Sequence, residues 1–279
     1  MAVRKIIFSD QDWAKSRTSG DFSTGSWETL APISYVVNNI RPQRVAQAVD
    51  NSEASTKFIL DLGENKSVGI IYFSNLITES ACTMQVKLAT DSGITSLVYD
   101  SGSVNAWATD ADGVLSEEEV ISLGRTRVFV PSSPVTGRYL QVLFSQTSAA
   151  TPLRLGSLNV CSVFEPSLPH EVGGNFTVVD DSSIERAPYG SLHVTERGKR
   201  MRFNFGLPAV ERDEAFKDLL RLARIRGKAR PIIVCQFPDD FTSAIGLERF
   251  SIYGVMNSDN VLNNPQFGIY SQTFSIDQL

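Results

Sequence analysis

The chain has 279 residues, a net charge of −5 and a hydrophobic fraction of 42%. Its length is enough for one large domain or two ordinary ones, and its acidic balance argues against specific binding of nucleic acid. No apolar run approaches the roughly 20 residues that a transmembrane helix needs, so we expect no membrane insertion. The N-terminal segment turns polar after a short apolar run, so we expect no signal peptide and synthesis in a cytoplasm.

The cysteines Cys82, Cys161 and Cys235 are far apart and have mostly apolar or small neighbours. This pattern predicts reduced, buried side chains rather than a disulfide framework. With only two histidines in the chain, the sequence argues against a Cys/His metal site. We expect no metal and no cofactor.

Residues 1–30 are predicted to form an N-terminal strand, "RKIIF", and a polar arm, "SRTSGDFSTGSW". The strand either completes the C-terminal domain or contacts a neighbouring subunit. Large aromatic side chains in a polar segment pin that segment to a surface. Trp13 and Phe22 are therefore candidate subunit contacts, and packing within the same chain is the alternative.

Residues 31–165 have the pattern of an antiparallel β-sandwich of the jelly-roll type. In "TMQVKLATD" the side chains of Met84, Val86 and Leu88 point to one face. The stretch "STKFILDLGENKSVGIIYFSNL" places a polar segment, residues 63–67, between two apolar runs, and it predicts a hairpin. Short strands, frequent turn residues and no clear helix favour a sandwich.

Residues 166–279 are predicted to form a second, α+β domain that begins near Pro166, in the Pro/Gly-rich stretch "EPSLPHEVGGN". Strands are expected on both sides of one helix, "PAVERDEAFKDLLRLARIRG", which Gly227 is placed to end. Its predicted buried face holds Phe216, Leu219, Leu220 and Ala223. The domain would be an antiparallel sheet with one helix packed on it.

The segment "TDADGVLSEEE", residues 109–119, has part of the spacing of a calcium-binding loop. With Gly113 in the sixth position, Asp110, Asp112 and Glu119 occupy ligand positions, but Ala108 would occupy the first and cannot supply a ligand. We expect an exposed acidic loop without a metal.

The sequence lacks the phosphate-binding G-x-x-x-x-G-K, the metalloprotease H-E-x-x-H and the hydrolase G-x-S-x-G motifs. His193 lies in a predicted strand with no candidate nucleophile nearby. The paired aspartates, Asp180–Asp181 and Asp239–Asp240, lie beside turn residues, and turn formation explains them better than paired acid/base catalysis. We therefore expect a protein that is not an enzyme.

Two groups of residues are candidates for binding. Sugar sites usually need an exposed aromatic ring beside polar groups, so Trp107, Asp110 and Asp112 are candidate glycan contacts. The alternative for Trp107 is a buried anchor at the sandwich edge. A second group, at the end of the predicted helix, is basic, and it forms either a solvated face or a contact with an acidic neighbouring subunit. Its members are Arg221, Arg224 and Arg226.

Several stretches resemble one family. They are the "RVAQAVD" lead-in, the "DLG" segment, the strand ending in "NL", the "VYDSG" segment, and near the C-terminus "RFSIYGVMN" and "NPQF". Over residues 35–279 the chain resembles distal tail proteins of long-tailed (siphovirus-type) bacteriophages that carry a galactose-binding-like β-sandwich.

The resemblance implies a virion structural protein at the tail tip, or baseplate, made in the host bacterial cytoplasm. Residues 166–279 would form a tube-like ring, most simply a hexamer, that contacts the tail tube protein and the tail-tip hub proteins. The sandwich would be a docking module. The alternative is a carbohydrate-binding adhesin module that contacts a glycan on the host surface.

Overall fold

The computed structural model describes residues 6–38, 44–110, 112–146, 152–167, 174–186, 189–239, 246–257, 262–266 and 268–279. The chain divides into two compact units. The first unit is Met1–Phe164 with Cys235–Ser251, and the second is Glu165–Val234 with Ile252–Leu279. The sequence pattern gives no sign that Cys235–Ser251 belongs with the N-terminal part of the chain.

The first unit consists mostly of strands. They are β1 (Ile6–Asp12), β2 (Phe22–Ser23), β3 (Ala46–Gln47), β4 (Phe58–Val68), β5 (Ile70–Ser74), β6 (Thr83–Ala89), β7 (Leu97–Asp100), β8 (Val104–Asn105), β9 (Thr109–Asp110), β10 (Gly113–Val114), β11 (Arg127–Phe129), β12 (Val135–Ser145), β13 (Arg154–Leu155) and β14 (Ser157–Phe164). Its short α-helices are α1 (Tyr35–Asn38), α2 (Glu53–Thr56) and α3 (Glu117–Ser122), and its 3₁₀ turns are Ser19–Asp21 and Leu247–Phe250.

Two antiparallel layers enclose the core of the first unit. One layer has the strand order β2-β4-β12-β6-β7, with β8 also paired to β6, and the other contains β11-β5-β14-β1. Side chains from both layers, such as Leu60 on β4, Val86 on β6 and Phe73 on β5, meet in one buried cluster. Residues of β6 alternate between buried and partly exposed, as a strand with one inward face requires. The predicted antiparallel sandwich is confirmed.

The predicted hairpin around residues 63–67 is wrong. Strand β4 runs without interruption through this polar segment and pairs with β12, with a register shift between Gly137 and Tyr139. The following strand, β5, lies in the other layer and pairs with β14. The chain changes layer at Gly69, where a Cβ would lie 2.3 Å from the side chain of Val163. Only glycine permits so close an approach.

The second unit contains the strands β15 (Asn175–Asp180), β16 (Ser183–Arg186), β17 (Leu192–Thr195), β18 (Lys199–Glu211), β20 (Ser251–Met256), β21 (Leu262–Gln266) and β22 (Ile269–Gln278). Strand β19 (Ile232–Gln236) contributes residues to both units. Strands β20-β22-β18-β15 are neighbours in this order, β21 pairs with β22, and β16 pairs with β17. The pairings β15–β18, β18–β22, β20–β22 and β21–β22 are antiparallel, which confirms the predicted antiparallel sheet.

The helix of the second unit begins later than predicted and contains a π-helical turn. Strand β18 extends to Glu211, and the helix then runs as α4 (Arg212–Glu214), the π-helical Ala215–Leu219 and α5 (Leu220–Arg226). Gly227 follows with a φ of +49°, so the predicted glycine end is confirmed.

The π-helical turn changes which residues are buried. Its hydrogen bonds span five residues instead of four, so the residues around it are rotated relative to a regular helix. Ala215, Leu219 and Leu222 are buried, whereas Phe216 is 49% exposed. The predicted buried face is therefore correct for Leu219 and wrong for Phe216.

No helix in the described part of the chain is long and apolar enough to cross a membrane.

Candidate functional site

Trp107 lies in the loop after β8 and is half-buried. Its ring packs against a small apolar cluster formed by Ala108, Leu115 and Val120. Its indole Nε1 donates to the backbone oxygen of Thr78 at 3.3 Å. The ring is therefore held in one orientation, and part of it stays accessible.

Polar groups from two other segments lie in the same neighbourhood. Glu79 follows Thr78, and its backbone N–H donates to Oε1 of Gln146 at 3.1 Å. The side chains of Glu79 and Gln146 are partly exposed, but Nε2 of Gln146 is buried and has no partner among the described residues. A buried donor without a partner costs about 1–3 kcal/mol. We call this group, formed by Trp107, Thr78, Glu79 and Gln146, the Trp107 site.

Burial and the carboxylate of Glu79 determine the protonation state of Cys82. Burial and, to a lesser extent, the negative charge of Glu79 raise the pKa of Cys82 to about 12. The Cys82 thiol is therefore protonated at neutral pH and is a poor nucleophile. All three cysteines are buried, as predicted. Within the described residues, no group of three or more His, Cys, Asp or Glu side chains is arranged to hold a metal.

Asp110 contacts Asp112 and Arg249. One Asp110 oxygen accepts from the backbone N–H of Asp112 at 2.9 Å, and the other lies 3.8 Å from Nη2 of Arg249. Glu119 also lies near Arg249, at 3.5 Å. The acidic loop is therefore partly neutralised by Arg249, and the contacts described for Asp110 are with Asp112 and Arg249 and not with the groups of the Trp107 site.

The acidic segment also forms a helix, where the sequence pattern predicted only a loop. Ser116 and Glu119 form a capping box at the start of α3, with hydrogen bonds in both directions. The backbone N–H of Ser116 donates to the Glu119 carboxylate and lowers its pKa. The S-x-x-E spacing of this cap was visible in the sequence. Thr78, Glu79 and Gln146 carried no comparable signal, because only the fold brings them near Trp107.

Trp13 and Phe22 pack on their own chain. Nε1 of Trp13 donates to the backbone oxygen of Ser67 at 2.9 Å, and the Phe22 ring lies 5.9 Å from the Phe58 ring. Both side chains are partly buried against the core of the first unit. Strand β1 pairs with β14 of the same unit. The structure thus favours packing within the chain over contact with a neighbouring subunit.

The three arginines at the helix end differ in exposure. Arg226 is only 8% exposed, and its Nη1 donates to the backbone oxygen of Pro231 at 3.4 Å. The expected surface contact therefore does not fit Arg226. Arg224 is exposed and Arg221 is partly exposed, so both remain candidates.

The β16–β17 hairpin exposes an apolar face. Ile184 lies directly opposite Val194 in the register, and Leu192 lies two residues from Val194 on the same face. These side chains are 67%, 56% and 54% exposed, respectively, and Tyr189 in the connecting turn is 100% exposed. An isolated two-stranded hairpin is only marginally stable in water, and contiguous exposed apolar groups mark interaction surfaces.

Comparisons with known proteins give structural matches only. No protein-family model and no curated protein matches the chain. A Streptococcus pneumoniae fucose binding module matches with 18% identity and a TM-score of 0.39, over 55% of this chain and 95% of the module. The lectin domain of lectinolysin, solved with Lewis B antigen, matches with 15% identity and a TM-score of 0.38, over 57% of this chain and 99% of that domain.

A third match is the CBM32-1 module from a family 31 glycoside hydrolase of Clostridium perfringens. It has 17% identity and a TM-score of 0.36, over 53% of this chain and 99% of that module. Because the sequence identities and TM-scores are this low, these matches carry no argument about function.

Proposed function

We propose that the protein is a non-catalytic binding protein whose first unit holds a carbohydrate at the Trp107 site. The observation that carries this proposal is a partly accessible indole that a hydrogen bond to Thr78 O holds in place, next to a backbone segment that Gln146 ties down through Glu79 N–H. Sugar rings combine apolar C–H faces with hydroxyl groups. An aromatic ring packs against the apolar faces, and a few polar side chains form hydrogen bonds with the hydroxyl groups.

Each group would have its own role. The Trp107 ring would pack against one face of the sugar, because its hydrogen bond to Thr78 O fixes its plane. Gln146 would act through the backbone, because its Oε1 accepts from the backbone N–H of Glu79 and so fixes the segment that carries the Glu79 carboxylate. The carboxylate of Glu79 would accept from a second hydroxyl.

The experiment is a titration of the full chain with methyl glycosides, followed by tryptophan fluorescence and by saturation-transfer NMR. We expect Trp107→Ala and Gln146→Leu each to weaken binding about tenfold, since a lost ring contact or a lost hydrogen bond is worth about 1–1.5 kcal/mol. Asp112→Asn is the matched control and should bind normally, because Asp112 is exposed in the acidic loop. Equal binding by all variants would refute the site.

A second candidate function is a structural subunit of a bacteriophage tail tip, and the exposed apolar face of the β16–β17 hairpin favours it. An apolar face of this kind supports a contact with another protein. The ring, its hexameric state, the tail tube and hub partners and the location in the virion come from the sequence resemblance. The two functions are compatible, because the hairpin and the Trp107 site lie in different units.

The test of the second function is electron microscopy of virions labelled with an antibody against this chain. Label at the tail tip in several copies per particle is expected, and particles without label would refute the proposal. A double variant, Ile184→Ser with Val194→Ser, should fail to incorporate. Ile225→Ser, which changes a 43% exposed side chain on α5, should incorporate normally.

A further inference from the structure

A pocket of about 510 Å³ lies in the second unit, between the start of its helix and the β21–β22 hairpin. Its walls are formed by Arg212, Asp213, Phe216, Asn264, Gly268 and Tyr270. This volume falls within the roughly 300–1,000 Å³ that is usual for small-ligand sites.

The π-helical turn places an aromatic ring at this pocket. It turns Phe216 away from the core, where the ring is 49% exposed and meets Tyr270 edge-on, with centroids 5.2 Å apart and an interplanar angle of 84°. An exposed aromatic ring offers an apolar face against which a ligand ring can pack. Single π-helical turns within helices are frequent at functional sites. The two observations point to a ligand that covers the aromatic pair.

The polar groups of the pocket limit the charge of that ligand. Arg212 and Asp213 are both exposed, and neither has a side-chain partner among the described residues. An anion would gain from Arg212 but be repelled by Asp213, and the opposite holds for a cation. A purely apolar ligand would make no use of the polar groups on the wall. The pocket therefore suits a neutral ligand that has both an apolar face and several hydroxyl groups.

We propose that this pocket is a second carbohydrate site, which takes one neutral sugar ring against Phe216 and Tyr270. The carboxylate of Asp213 accepts from the sugar hydroxyls, and the guanidinium of Arg212 and the Asn264 amide lie on the same wall. The Phe216 pocket does not depend on the Trp107 site, because its lining residues all belong to the second unit.

The test uses saturation-transfer difference NMR on the full chain, with methyl glycosides of galactose, fucose, glucose, mannose and N-acetylglucosamine as separate probes at millimolar concentration. The Trp107→Ala variant removes the contribution of the first site. In that background we expect at least one probe to keep a signal, and Phe216→Ala to reduce it about tenfold. Ile225→Ala, also an exposed apolar residue of this helix, should leave it unchanged.

Three outcomes would overturn the proposal. The first is no signal from any probe in the Trp107→Ala background. The second is a signal that Phe216→Ala leaves intact. The third is a change in the mass of the protein in solution on Phe216→Ala without a change in sugar signal, which would make the pocket a subunit contact. Hydrogen exchange at the backbone amides of β18 and β22 in Phe216→Ala, which should match that of the natural chain, checks that a loss does not come from misfolding. If no sugar signal depends on Trp107, the proposed function fails, and the proposal for the Phe216 pocket stands.

Discussion

The guanidinium of Arg127 donates to the carboxylate of Glu248 across 2.5 Å, although the two residues are 121 positions apart in the chain. The side chains are only 12% and 3% exposed. The pair joins β11 to the 3₁₀ turn Leu247–Phe250, and both elements belong to the first unit. This buried ion pair helps to explain why a segment so late in the sequence is part of that unit.

Breaking this ion pair should strongly destabilise the first unit. Glu248→Ala leaves the Arg127 charge buried without its partner, which costs about 3–5 kcal/mol. All three tryptophans, Trp13, Trp27 and Trp107, lie in the first unit, so fluorescence-monitored urea unfolding measures this unit. The double change Arg127→Met with Glu248→Leu should recover most of the loss.

The control for this prediction is an ion pair in the same unit whose carboxylate is exposed. Glu64 pairs with Lys66 and is 73% exposed, so Glu64→Ala should cause no measurable change. A loss below about 1 kcal/mol for Glu248→Ala would show that the buried pair does not hold the segment.

The rotated face of the second unit's helix gives a second prediction. Leu219 is fully buried, so Leu219→Ala should cost about 2–5 kcal/mol. Leu220 is only partly buried, and Leu220→Ala should cost clearly less. Hydrogen exchange at the backbone amides of β18 and β22 measures these losses of stability. Fluorescence would not serve, because the second unit has no tryptophan. Equal losses for both variants would contradict the π-helical register.

Periodicity explains how much of this fold the sequence could predict. Alternating residues on β6 and the Gly227 helix end were predicted correctly, because each depends on neighbours within a few positions. The hairpin at residues 63–67 was wrong because a polar segment between apolar runs looks the same whether the chain turns back or continues and changes layer. The buried helix face was partly wrong because a π-helical turn has no sequence signature.

The candidate sites were less predictable than the fold. Trp107 could be singled out by its aromatic ring among polar neighbours, but Gln146 and Glu79 approach it only through packing of distant loops. Arg226 was expected at the surface because of its charge. In the structure its guanidinium bends back onto Pro231 O, which no local pattern indicates.

The stability of the second unit should depend on pH through Asp277. Hydrogen bonds from Arg202, and to a lesser extent the positive charges of Arg202 and Arg200, hold the pKa of Asp277 below its ordinary value of 3.8. A lowered folded-state pKa gives stability that is fully present above the unfolded pKa and is lost as the pH falls through the folded value. We therefore expect the contribution to be full at neutral pH and to decline below about pH 4.

The variant Asp277→Asn tests this dependence. It should be less stable than the natural chain at pH 7, and the difference should shrink as the pH is lowered below the ordinary aspartate pKa. Urea unfolding followed by circular dichroism at several pH values measures the difference in stability and its change with pH. A difference that stays constant with pH would show that the Asp277 carboxylate charge contributes nothing. Asp213→Asn, in an exposed position without a described partner, is the control and should change little.

Gly254 should tolerate no side chain. It lies on β20 opposite Gln278 of β22, and a Cβ at this position would lie 2.1 Å from the backbone oxygen of Asp277. The obstacle is backbone, so it cannot move aside without breaking the pairing of the two strands. Gly254→Ala should therefore cost about 3 kcal/mol, the upper end for overpacking, and should weaken hydrogen-exchange protection along β22.

Gly198, between β17 and β18, is the matched control for Gly254. A Cβ there meets nothing within 4 Å, so Gly198→Ala should change the free energy of unfolding by less than about 0.5 kcal/mol. If Gly254→Ala were equally harmless, β20 and β22 would have to be farther apart than the structure places them. The comparison thus measures how closely the two strands approach, using one methyl group at each of two positions.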